Sequence, residues 1–242
     1  MRGRPGVASA LLCALLVTGC SVQGSPSQAE NGSAQPSPEP VVLEAGERGL
    51  DPGTYRMQPS DVLGGAPYPD LLVTVPDGWT SVDGWVLERG LVAILLWNVH
   101  EVYGHPCRWA GTELPSGETV DDLVTTLVAV PLRNPSTPEP VEVDGRTGLY
   151  FEWSVPTDIP HDGEGFPDCD AKPGEPHDFV SWTGVGLPSV RYHQAPGQVD
   201  RIWVLDADGE RLVIDAFSMP EATDAEIAEI HEIVDSIRFV EE

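Results

Sequence analysis

The segment RIWVLDADGERLVIDAF, residues 201–217, decides the fold class. Two runs of β-forming residues flank Asp208-Gly209. That dipeptide accepts the positive φ angles of a tight type I′ turn, so the segment predicts a long β-hairpin. Asp206, Asp208 and Glu210 invite comparison with a calcium loop. An EF-hand needs a longer run of acids, with Gly at its sixth position and Glu at its twelfth. The hairpin turn is the better reading.

Working outward, Thr147 to Val155 follows a second turn signal, Asp144-Gly145. In an extended chain Phe151, Trp153 and Val155 share one face, and Tyr150, Glu152 and Ser154 the other. Leu91 to Val99, LVAILLWNV, is apolar at alternate positions of both parities, the pattern of a strand covered on both sides. Leu71 to Val75 is a short apolar run closed by Pro76-Asp77-Gly78, a strand entering a turn. Two helices complete the pattern. Val120, Leu123, Val124, Leu127 and Val128 form a stripe at helical spacing, with Thr119 as N-cap and Asp122 three residues on. From Asp224 to about Ser236, Thr223 and Glu226 supply a capping box, and Ile227, Ile230, Ile233, Val234 and Ile237 mark the inward face. The end, VDSIRFVEE, reads as a helix passing into a short strand.

These elements predict an α+β domain, an antiparallel sheet flanked by helices. Their order, with VPDGW at residues 75–79 and IVDSIRF at 233–239, resembles the PsbP-like fold over about residues 54–241. That fold is named after an extrinsic accessory subunit of photosystem II and recurs in small actinobacterial envelope lipoproteins. The resemblance implies an accessory or binding domain and carries over no shared active site. Residues 156–188 fit no regular element and read as an irregular insertion.

At the other end, Arg2 and Arg4 precede an apolar run from Val7 to Val17. A run of that length is too short to span a hydrocarbon core, which takes about 20 residues, and the layout is that of a secretory signal peptide. It closes on Val17-Thr18-Gly19-Cys20, which resembles the lipobox of bacterial lipoproteins. The resemblance implies removal of residues 1–19 and lipidation of Cys20. Two acyl chains then hold the protein on the bilayer, each buried CH₂ contributing about 0.8 kcal/mol. Residues 20–48 are rich in Ser, Gln, Gly, Pro and Glu and hold no aromatic residue. They predict a disordered tether leading into a single globular domain over 49–242.

Composition bounds the partners. The formal net charge is −26, and loss of Arg2 and Arg4 makes the mature chain more acidic still. Such a surface disfavours nucleic acid and anionic lipid headgroups, so the bilayer contact is assigned to acylated Cys20. Arginine outnumbers lysine twelve to one, Lys172 being the lone lysine, a bias that suits a GC-rich genome such as that of an actinobacterium.

Cys13 leaves with the leader, so Cys107 and Cys169 remain as an even pair, and outside the cytosol such pairs usually oxidise. The alternative is zinc held by His100, His105, Cys107, His161, Cys169 and His177, although their spacing matches no standard finger and no H-E-x-x-H helix. A second candidate is Arg191, Tyr192, His193 and Gln194, four hydrogen-bonding side chains ahead of a Pro-Gly turn, able to bind an anion or sugar or simply to pair with acids. If they end a strand, Arg191 and His193 share one face, and Tyr192 and Gln194 the other. Trp97, Trp153 and Trp203 lie in strand patterns and are expected in the core, whereas Trp109 and Trp182 are candidates to line a groove. No G-x-S-x-G elbow and no phosphate-binding glycine loop occurs. The expectation is a lipid-anchored, extracytoplasmic binding or accessory module of the cell envelope with no cofactor, whose partner is an envelope protein or small ligand. The alternatives are a zinc-assisted hydrolase and a carrier of a small polar or cationic ligand.

Overall fold

In chain order the elements are β1 (Val41–Val42), β2 (Glu47–Gly49), β3 (Gly53–Met57), α1 (Pro59–Leu63), β4 (Leu71–Val75), β5 (Thr80–Val82), β6 (Val86–Arg89), β7 (Val92–Trp97), β8 (Val99–Tyr103), β9 (Glu113–Pro115), α2 (Val120–Val128), β10 (Glu139–Val143), β11 (Arg146–Ser154), β12 (Val180–Gly184), β13 (Val190–Tyr192), β14 (Val199–Ala207), β15 (Glu210–Ser218), α3 (Asp224–Asp235) and β16 (Arg238–Phe239). They come from a computed structural model that describes residues 39–64, 66–186 and 190–240. The leader, Cys20 and most of the expected tether lie outside the described residues. Residues 39–48, assigned to the tether from composition, instead carry β1 and β2. β1 adds in parallel to β3, and β2 pairs with β5.

The frame is an eight-stranded sheet ordered β10-β11-β14-β15-β7-β6-β5-β2, antiparallel throughout. Its central hairpin, β14–β15, turns at Asp208 and Gly209 with φ of 62° and 91°, the left-handed pair that a type I′ turn requires. Two four-stranded sheets accompany it, β1-β3-β4-β16 and β13-β12-β8-β9.

Alternation along the central strands builds two cores. Ile94 and Leu96 of β7 and Leu212 and Ile214 of β15 face β3, β4 and α3, while Leu95, Trp97 and Val213 face α2 and β8. All six residues of β7 are buried. In β11, Phe151 and Trp153 join the second core, and Tyr150 turns to the first, its ring 4.7 Å from Trp203. Both long helices carry complete capping boxes, Thr119 with Asp122 and Thr223 with Glu226. They bury Leu123, Val124 and Leu127, and Ile230, Ile233 and Val234, on their inward faces.

The expected sheet flanked by helices is therefore met only in part. The chain is mostly β, and much of the cover on the central sheet is two further sheets. The segment 156–188 is also more regular than expected, because β12 lies inside it and pairs with both β8 and β13. Composition hides such a strand, since its ends are marked by Pro, Gly and charged residues over a long stretch.

Candidate functional site

Two acids stand where alternation calls for apolar residues. Ile202 and Val204 of β14 face the second core, so Asp200 does too. Val213 of β15 faces it, and so does Asp215. Both aspartates are wholly buried. Facing them, β13 supplies Arg191, whose Nη2 lies 2.7 Å from Asp200 Oδ1 and whose Nε donates to Asp215 Oδ2. Its guanidinium also sits 4.9 Å from the centre of the Phe217 ring. One planar fork thus spans two carboxylates, a geometry a lysine cannot supply.

His193, two residues on, shares the buried face with Arg191, while Tyr192 and Gln194 point outward. Arg133, from the loop after α2, enters the same layer against the rings of Trp153 and Phe179, at 4.5 and 4.6 Å. Its Nη2 reaches Ser181 Oγ and lies 2.7 Å from His193 Nε2. Arginine only donates, so Nε2 accepts from it, and Nδ1 lies 3.2 Å from Asp200 Oδ2 and 3.1 Å from Gln198 Nε2. Gln198 Nε2 completes the set with a 2.8 Å bond to Asp200 Oδ1.

Two guanidiniums, of Arg133 and Arg191, face two carboxyl groups, of Asp200 and Asp215. Burial pulls His193 down to about 3, with Arg133 pushing the same way, so the ring is neutral. Burial pushes Asp200 up, but the combined pull of His193, Arg191 and Arg133 outweighs it and holds the carboxyl below its ordinary range. Asp215 is pushed up to about 7 by burial, which Arg191 only partly offsets. Arg133 is lowered to about 9 by burial.

Ser181, His193 and Asp200 stand in the order of a hydrolytic triad, with Ser181 Oγ 2.7 Å from His193 Nε2. Four facts count against that chemistry. A general base must take up a proton near neutral pH, and His193 does so only near 3. Its Nε2 lone pair already accepts from Arg133. Ser181 is wholly buried, and Asp200 Oδ2, although close to the ring, receives no well-aligned hydrogen bond. The cluster ties sheets together.

The open surface above it is different in kind. Tyr103, Trp109 and Tyr192 line a shallow depression with Lys172, Asp178, Val180 and Val190. The rings of Tyr103 and Trp109 are 5.9 Å apart, and Trp109 Nε1 donates to the Asp178 carbonyl at 3.1 Å. The structure thus brings Trp109 and Tyr192 together and removes Trp182 from the candidate groove. Trp182 is fully buried, 5.6 Å from Trp97 and stacked 5.9 Å from Trp153. A larger open cleft of about 780 Å³ lies elsewhere, walled by Arg56 with Asp70 and Arg146 with Asp208, ion pairs of 3.1 and 2.6 Å.

Cys107 and Cys169 are bonded to each other. A sulfur in a disulfide has no thiolate to give a metal, so the zinc arrangement is overturned at its two cysteines. The histidines are also spent separately. His105 Nδ1 accepts from the backbone N–H groups of Cys107 and Arg108, and His177 Nδ1 bonds the Cys169 carbonyl. His161 packs on Phe166, and His100 is exposed. Among the described residues no group of three or more His, Cys, Asp or Glu side chains could hold a metal ion. No helix among them is long and apolar enough to cross a membrane.

Sequence reasoning singled out Arg191 and His193 but not Arg133, Ser181, Gln198, Asp200 or Asp215. A usable signal was present for two of them, an acid on the apolar face of a strand. No family model and no curated protein matches the chain.

Proposed function

We propose that the chain is a lipid-anchored, extracytoplasmic binding or accessory module of the cell envelope, with a domain of PsbP-like type. The observation that carries this reading is the division of labour among its polar and aromatic groups. Among the described residues, the Ser181, His193 and Asp200 arrangement is sealed from solvent, while Tyr192 at the aromatic depression is exposed. The Cys107–Cys169 disulfide favours an oxidising compartment, and the lipobox-like end at Cys20 supplies the anchor. The order of β4, VPDGW, β7, α2, the β14–β15 hairpin and α3 supports the PsbP-like assignment.

Two experiments test it. Cys20→Ser should move the protein from the membrane fraction to the soluble extracytoplasmic fraction. Retention on the membrane at unchanged mass overturns the anchor. Ester or peptide hydrolysis by the purified domain that disappears in Ser181→Ala overturns the non-catalytic reading.

A further inference from the structure

We propose that the depression formed by Tyr103, Trp109 and Tyr192 is a cation-recognition site that takes the ammonium group of a lysine side chain on a partner protein. The inference rests on the binding-module reading and names the chemistry of the partner.

Three strands of observation converge. The first is aromatic. Tyr103 comes from β8, Trp109 from the loop after it, and Tyr192 from β13, opposite Val180 of β12. Aromatic side chains from separate elements thus gather at one place, and ring faces attract cations within about 6 Å. Trp109 is held in position by its bond to the Asp178 carbonyl.

The second is charge. Glu101 pairs with Pro115, and Glu113 with Tyr103, in the register of β8 and β9, so both acids border the depression. They act on it: the Tyr103 hydroxyl is pushed up by burial, then by Glu113, Tyr192 and Glu101. Asp178 is raised by burial and by Glu175. Among the described residues that line the depression, Lys172 is the one cation, and its ammonium lies 4.0 Å from Glu175. Rings edged with carboxylates, on a chain of charge −26, suit a cation and repel anions.

The third is size. The free volume is about 10 Å³, room for one water-sized group, whereas pockets that enclose a small molecule run to about 300–1,000 Å³. The cation must therefore arrive on a larger body. Tyr192, on this face of the sheet, is 37 % exposed. It provides an apolar edge for the surface that carries it.

The test uses the mature domain and follows the indole N–H of Trp109 by NMR while a Gly-Lys-Gly peptide is added, the same peptide with acetylated lysine serving as the neutral control. The expected result is a saturable shift with Kd on the order of millimolar. Acetylation should weaken binding at least tenfold, and raising the salt should weaken it too. Tyr192→Ala should abolish the shift. Lys172→Gln, at an exposed position, should tighten binding by removing a like charge. Equal binding of the acetylated peptide, tighter binding of n-butylammonium than of the peptide, or a shift produced by a neutral oligosaccharide instead overturns the proposal. If no peptide shifts Trp109 while Cys20→Ser still releases the protein from the membrane, the cation site falls and the anchored-module reading stands.

Discussion

Arg191 on β13 and Asp215 on β15 form an ion pair between two different sheets, with 2 % and 0 % of their side-chain surface exposed. The pair does not stand alone, since Arg191 also holds Asp200. A buried charge is tolerated only while its partner is present. This makes the layer between the sheets the most demanding part of the molecule.

Arg191→Met should therefore be strongly destabilising. It leaves Asp200 and Asp215 facing each other without their shared fork, and a broken buried pair costs about 3–5 kcal/mol. Urea unfolding followed by tryptophan fluorescence measures the loss. A change below about 1 kcal/mol contradicts the assignment of Arg191 as the tie between the sheets.

Two members of the cluster oppose each other in pH dependence. The folded pKa of His193 drops from 6.5 to about 3. Its contribution is fully present above 6.5 and is lost as pH falls toward 3. The folded pKa of Asp215 rises from 3.8 to about 7, so its contribution is fully present below 3.8 and is lost as pH rises through 7. Between about pH 4 and 6.5 the two slopes, each about 1.4 kcal/mol per pH unit at most, cancel. His193→Gln should expose the second slope, so that stability rises as pH falls from 7 to 4. Asp215→Asn should expose the first, so that stability falls over the same range. Urea midpoints at a series of pH values decide this, and parallel profiles for the two variants contradict it.

Gly148 should not accept a side chain. A Cβ there would stand 2.1 Å from the Val204 carbonyl oxygen and 2.9 Å from Leu205 Cα, both backbone atoms of β14. Gly148→Ala should cost about 1–3 kcal/mol and weaken amide protection along β11 and β14. Gly49→Ala, where a Cβ meets nothing within 4 Å, is the control and should stay within about 0.5 kcal/mol.

Thr223→Ala removes the oxygen that accepts from the Glu226 N–H and the hydroxyl that donates to its carboxylate. The loss of one helix cap is worth about 1 kcal/mol, which for a domain of this size lowers Tm by about 2–4 °C. Calorimetry should show that shift with no change in the far-ultraviolet circular dichroism of the folded state.

Reduction of Cys107–Cys169 should destabilise without abolishing the central sheet. The bridge closes 62 residues, worth about 4 kcal/mol in the chain-entropy description. Its sulfurs pack with Val155, Phe166 and Phe179 in a small core of their own. Hydrogen exchange under reducing conditions should therefore quicken first in residues 156–178 and last in β14 and β15.

What the sequence determined by itself is whatever rests on neighbours a few positions apart. The Asp208-Gly209 turn, the two-sided burial of β7, the capping boxes at Thr119 and Thr223 and the shared face of Phe151 and Trp153 all follow from short-range periodicity and turn chemistry. The tertiary structure alone decided what those faces meet. Asp200 and Asp215 belong to one hairpin, yet Arg191 and Arg133 reach them from a different strand and a distant loop. Trp109 and Tyr192 become neighbours only when β8, β12 and β13 pair. The fate of a buried charge, and the company an aromatic ring keeps, depend on sheet packing between residues tens of positions apart. Local pattern carries no information about that distance, because alternation says which side a residue faces but not what lies there.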